Sequence, residues 1–181
     1  MAELKGVSIL GALQFSWTED GLNGATLATG LIEDVSLEEI KNEGTYLSKR
    51  NKNRRLAHNA EFKNDLLEGY NVNVVFSNFI PELAAEFRNG TYAADALTGV
   101  SGGGILNAQI GTIKVYTYAE TESAAEYLEY VLPNCRCVSA PIGFNDDDYS
   151  NWEVSFECYL DDTNKLVMNE LSELPDMDLL S

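Results

Sequence analysis

GTIKVYTYAETESAAEYLEYVLPNCRCVSAPIGFNDDDYSNWEVSFECYL, residues 111–160, carries the alternation that decides the fold. In its last segment Trp152, Val154, Phe156, Cys158 and Leu160 alternate with Glu153, Ser155, Glu157 and Tyr159. Period two is the signature of a strand that buries one face, so the first set is expected to line the core. Residues 144–151, FNDDDYSN, gather side chains that bond their own backbone and turn the chain. A strand is therefore expected before the turn, over Pro133–Ile142, with Cys135 and Cys137 on one face and prolines near its ends, where a missing ladder donor is tolerated. Ile113–Ala119 is a further strand, rich in Thr, Val and Tyr. Ser123–Leu132 fits a helix, because Ser123 and Glu126 form a capping box, and also fits a strand. Its aromatic and β-branched content favours the strand. The expected class is mainly β with a flanking α-helix, an antiparallel sandwich or barrel with a long loop or hairpin arm.

Outward from this stretch the chain reads as follows. Residues 1–16 hold a first strand that ends at the polar turn Thr18–Gly21, and the segment up to Thr29 reads as loop. From Gly30 the sequence LIEDVSLEEIKNEGTYL is read as extended, although Ser36 and Glu39 could cap a helix. Glu61–Gly69 reads as a short helix stopped by Gly69, and Tyr70–Phe76 as a strand. Pro81–Asn89 is the clearest helix, with proline at its first position and Gly90 beyond its end; it should lie across the sheet. Thr98–Gly104 reads as a flexible connection. A division into a β domain, 1–160, with an arm near 44–60 and a helix at 81–89, and an acidic extension, 161–181, follows; the extension carries Leu166, Val167, Leu171 and Leu174 and should pack on something.

The 181 residues are 45% hydrophobic, enough for one domain with a sizeable core. A formal net charge of −17 and a pI near 4.2 argue against gripping nucleic acid through its phosphates, which needs a basic surface. Such a surface would instead let a duplex slide past. The charge is segregated: Lys49, Arg50, Lys52, Arg54 and Arg55 crowd into seven residues, whereas from Ala119 onward 15 acidic residues face only Arg136 and Lys165. This basic island is either a solvated loop or a docking arm for the acidic surface of another copy. Three cysteines suggest buried thiols rather than a disulfide scaffold and fit a reducing compartment. The N-terminus shows no signal peptide and no apolar run approaches the roughly 20 residues of a membrane span, so a soluble intracellular product is expected.

Catalytic patterns fail one by one. GVSGGG, residues 99–104, lacks the Lys-Ser/Thr of a phosphate loop. Asp146, Asp147 and Asp148 are consecutive and cannot all face one calcium ion. His58 has no evident nucleophile or orienting carboxylate beside it, and one histidine far from Cys135 and Cys137 makes no zinc site. No enzyme, cofactor or metal is expected.

With these residues placed, the chain resembles the tail tube proteins of long-tailed bacteriophages. The resemblance spans most of residues 30–160 and rests on GLIEDVSLEEIKNEGTYL, a long polar arm, the helix IPELAAEFRNG and the closing YLEYVLPNCRCVSAPIGFNDDDYSNWEVSFECYL. It implies a β-sandwich of roughly orthogonal sheets whose copies close into rings, six to a ring, and stack into a tube that conducts DNA without specific binding. Partners would be other copies and other tail proteins, and location the virion tail after assembly in the host cytoplasm. In that arrangement Glu153 and Glu157 are candidate lumen-facing residues and Lys49–Arg55 the inter-subunit arm. A tail terminator or head-to-tail connector, or a β-sandwich module binding a small ligand, are the alternatives.

Overall fold

The computed structural model describes residues 7–9, 11–20, 26–42, 66–88, 90–98, 110–119, 126–141, 151–161 and 163–180. Its elements are β1 (Val7–Ile9), β2 (Ala12–Glu19), β3 (Thr26–Thr29), β4 (Ile32–Asn42), β5 (Leu66–Phe76), α1 (Pro81–Phe87), β6 (Thr91–Ala93), β7 (Ala96–Thr98), β8 (Gly111–Tyr118), β9 (Tyr127–Ser139), β10 (Trp152–Tyr159), β11 (Val167–Leu171) and β12 (Leu179–Leu180). One sheet runs in the order β1-β4-β5-β10-β9-β8-β2-β3-β12, with β11 added to β9; β6 and β7 form a separate hairpin. The pairing is antiparallel except between β12 and β3.

The inner face follows from alternation. Trp152, Val154, Phe156 and Cys158 of β10, Val72, Val74 and Phe76 of β5, and Val35 and Leu37 of β4 are all buried. Phe15 of β2 lies 5.3 Å, ring centre to ring centre, from Phe76 of β5 and 6.3 Å from Phe156 of β10. Strands four places apart in one sheet thus touch through their side chains, so the sheet curls until its two halves face each other across one core. Trp17 of β2 stacks on Phe156 at 5.7 Å, and Phe87 of α1 meets Trp17 and Phe156 edge-on at 5.5 and 5.1 Å. The helix packs on the core through Leu83, Ala84 and Phe87, as its spacing requires. It ends at Phe87, two residues before the expected stop.

The mainly β class with one helix is as expected. The extended reading of Ile32–Asn42 holds, as does the strand reading for Tyr127–Leu132. Four local expectations are overturned. Thr26–Thr29, read as loop, is a strand held by β2, and β2 itself runs to Glu19, through the expected turn. Leu66–Gly69, read as the end of a helix, is the first part of β5. Gly69 is no helix stop: a Cβ there would sit 2.1 Å from the Cys158 carbonyl oxygen, so glycine lets β10 approach β5. Leu160 is only half-buried, beyond the strand.

Pro133 does not begin a strand but sits inside β9. Between Ile113↔Leu132 and Gly111↔Cys135 two steps along β8 match three along β9, which is a β-bulge. Asn134 takes φ 55°, a left-handed conformation that asparagine tolerates, and its amide donates to the Tyr159 carbonyl at 2.9 Å. The extra residue shifts the phase, so Leu132 and Cys135, three apart, are both buried.

Cys135 and Cys158 face each other across β9 and β10 and are joined by a disulfide, with Cys137 left as a buried free thiol. The expectation of three buried thiols fails because the pairing partner lay across the sheet rather than two residues along the strand.

Two predictions follow from this core. Phe156→Ala should cost about 3–5 kcal/mol in a urea unfolding series, the range for truncating a buried Phe; a loss under about 0.5 kcal/mol would place the side chain outside the core. Denatured without reductant, the chain should offer one thiol per molecule to a chromogenic disulfide reagent, Cys137, where three would mean that no bond forms.

Candidate functional site

The convex face of the same strands is polar, and its side chains stand in register. One row across β4, β5, β10 and β9 is Ser36, Asn73, Ser155 and Ser139; the next is Glu38, Asn71, Glu157 and Arg136. A third brings Asp34 opposite Val75 and Val75 opposite Glu153. Four carboxylates against one guanidinium give this face a net negative charge. Asn73 ties two rows together, accepting from Ser155 Oγ at 2.8 Å and donating to Glu153 Oε1. Glu157 Oε2 accepts from Arg136 at 3.3 Å and from the Tyr159 hydroxyl at 3.2 Å. Accepting that bond, and lying beside its charge, the Glu157 carboxylate pushes the Tyr159 phenol up, so it stays a neutral donor. Around Ser36, Glu38, Asn71, Asn73, Glu153 and Ser155 the face is hollowed into a shallow open concavity.

Glu153 is exposed and Glu157 partly so, both on the water-facing side that the alternation assigned to them. The structure brings them together with Asn73 and Arg136, which sequence reasoning did not connect. Lys49, Arg50, Lys52, Arg54 and Arg55, along with His58, residues 99–104 and Asp146–Asp148, lie outside the described residues. Among the described residues no group of three His, Cys, Asp or Glu side chains is placed to hold a metal ion, and no helix is long and apolar enough to cross a membrane.

A second polar cluster sits on the β9, β8 and β2 half of the convex face. Glu129 is 8% exposed, and its Oε1 accepts from Lys114 Nζ and from the Tyr116 hydroxyl, each at 3.0 Å. Its Oε2 accepts from Asn169 Nδ2 at 2.7 Å. Lys114 and Tyr116 come from β8, Glu129 from β9 and Asn169 from β11, three adjacent strands. Leu171 at the end of β11 and Leu174 and Pro175 beyond it line the cluster, and the chain then runs to β12 at the far edge. The acidic extension thus forms a strap across the sheet; of the residues expected to pack, Leu166 lies against the core and Leu171 and Leu174 are half-buried, whereas Val167 is 44% exposed. Burial pushes the Glu129 carboxyl up, but the bonds from Asn169, Lys114 and Tyr116 outweigh it and hold it below the ordinary value. Burial, together with the Glu129 charge, pushes the Tyr116 phenol far up, so it remains a donor. The alternation of β8 puts Lys114 and Tyr116 on one face, but no sequence signal places Asn169 beside them, because that depends on where the strap docks.

No family model and no curated protein matches this sequence. Among solved structures the chain is similar to one from the baseplate of the anti-feeding prophage, determined by cryo-EM with 6-fold symmetrisation: 10% identity, a TM-score of 0.40, and 96% of this chain aligned to 99% of that one. At that level the likeness carries no argument about role.

A carboxyl held below its ordinary value stabilises the fold above the usual carboxylate range and loses that effect as pH falls through the folded value. Urea midpoints of the wild-type chain should therefore drop between about pH 5 and pH 3, and Glu129→Gln should flatten that limb. Parallel limbs for the two proteins would remove Glu129 from the acid response.

Proposed function

We propose that this chain is a structural phage-tail protein whose copies close into rings and stack into a tube through which DNA passes without being held. The observation that carries the reading is the convex face, a broad sheet surface with in-register rows of Ser, Asn and carboxylate and a single guanidinium. Such a surface holds water and repels phosphate, which suits a wall that a duplex must slide along. Glu153 and Glu157 are two of its four carboxylates, and we assign them to the channel side. Among the described residues the sheet is open, ending in β1 on one side and β12 on the other, and open edges are where a neighbouring copy adds its own strands. The basic segment Lys49–Arg55, between β4 and β5 in sequence, supplies the positive charge that would meet an acidic neighbour.

The reading is tested by assembly and then by charge. Size-exclusion chromatography with negative-stain imaging should show rings or tubes, where a particle of the 19.9 kDa chain alone at high concentration would count against it. Particles carrying Glu153→Lys and Glu157→Lys should still form tubes but release DNA slowly, most of all at low ionic strength, since screening acts over about 8 Å at physiological salt. Normal release at every salt concentration would take these two residues off the channel wall.

A further inference from the structure

The Glu129 cluster holds an amine and a carboxamide on the two oxygens of one carboxylate. Lys114 Nζ bonds Oε1 at 3.0 Å and Asn169 Nδ2 bonds Oε2 at 2.7 Å, so the lysine amine and the asparagine amide group share one carboxylate, reached from the two strands that flank β9. A nucleophile and an acyl group, each hydrogen-bonded to one proton carrier, are the parts of an acyl transfer. We propose that Lys114 and Asn169 join in an intramolecular isopeptide bond, formed by the chain itself with Glu129 as the catalytic residue.

The step balances without any added reagent. Glu129 takes a proton from the Lys114 ammonium, leaving a neutral amine. The Nζ lone pair attacks Asn169 Cγ. Glu129 returns its proton to Nδ2, the Cγ–Nδ2 bond breaks, and the nitrogen, taking the second amine proton as well, leaves as ammonium with Glu129 ionised again. One N–C bond forms, one breaks, and nothing is oxidised or reduced. Tyr116, a neutral donor to Oε1, fixes the carboxylate and does not itself transfer a proton. The Lys114 side chain is 38% exposed, which leaves ammonia a way out, and once it has gone the reaction does not reverse. Because the donors keep Glu129 ionised at rest, the reactive neutral pair is a minor population and bond formation should be slower at acid than at neutral or mildly alkaline pH. Proximity makes so weak an electrophile reactive: reacting groups gathered on one carboxylate behave as though at concentrations far above those of free groups in solution.

The bond would weld β11 to β8 across β9 and close the strap covalently. The inference is independent of the tube reading. Its test is the intact mass of the full-length chain, purified folded, reduced to open the disulfide and measured after incubation at mildly alkaline pH. The expected mass is one ammonia below that of the sequence, trypsin should no longer cut after Lys114, and one cross-linked peptide should contain both Lys114 and Asn169. Lys114→Arg, Glu129→Gln and Asn169→Ala should each restore the full mass; circular dichroism shows which of them fold. Asn169→Asp keeps the shape and should lose one water if it condenses. Full mass with normal cleavage after Lys114 in the folded wild-type chain would overturn the proposal. So would an ammonia deficit that survives in Lys114→Arg, since that loss would come from elsewhere.

Discussion

The architecture depends on β9 pairing with different strands along one edge. Its N-terminal half, Tyr127–Val131, pairs with β11, and its C-terminal half, from Cys135, pairs with β10, while β8 runs along its other side. A straight strand could not keep a hydrophobic residue inward through both halves once an extra residue intervenes. The bulge at Pro133–Asn134 resolves this: proline removes a ladder donor where the ladder is already broken, and asparagine accepts the left-handed backbone. Leu132 and Cys135 then point inward from either side of the irregularity, and the core continues without a gap.

That single strand also separates two chemistries on the convex face. Toward β10, β5 and β4 the polar side chains are open to water and paired loosely, as in Arg136 with Glu157 at 3.3 Å, an exposed pair of small energetic weight. Toward β8 and β11 they are roofed by the strap, and one carboxylate collects three donors. A buried charge is tolerated only when its lone pairs are met. Cover makes the difference: the strap lies over one half and leaves the other bare.

Much of the core was legible because burial on one face imposes period two, and Trp152–Cys158, Val72–Phe76 and Val35–Leu37 show it without interruption. Legibility failed where the period was broken or where the decisive partner was remote. Phe62 and Leu66 stand four apart, a helical spacing that ran the expected helix on to Gly69, and only the closeness of β10 explains Gly69. Thr26–Thr29 has no alternation strong enough to announce a strand; β2 supplies its hydrogen bonds. Cys158 was recognised as inward but not as the partner of Cys135, since a phase shift at Asn134 decides which residues meet. Of the candidate site, the outward placement of Glu153 and Glu157 was readable, whereas their contacts with Asn73 and Arg136 depend on strand order. The cluster at Glu129 was not readable at all, because Asn169 meets Glu129 only through the pairing of β11 with β9, which no alternation in the sequence announces.

The disulfide has a consequence for folding fidelity. Cys135 and Cys158 are direct cross-strand partners, and a slip of β10 by one residue against β9 would turn one sulfur to the opposite face, where the other could not reach it. Oxidation therefore reports on alignment: a chain that has zipped its strands wrongly keeps both thiols and can unzip to try again, while a chain that has zipped them correctly is sealed. The bond acts as a proofreading step whose substrate is the sheet itself.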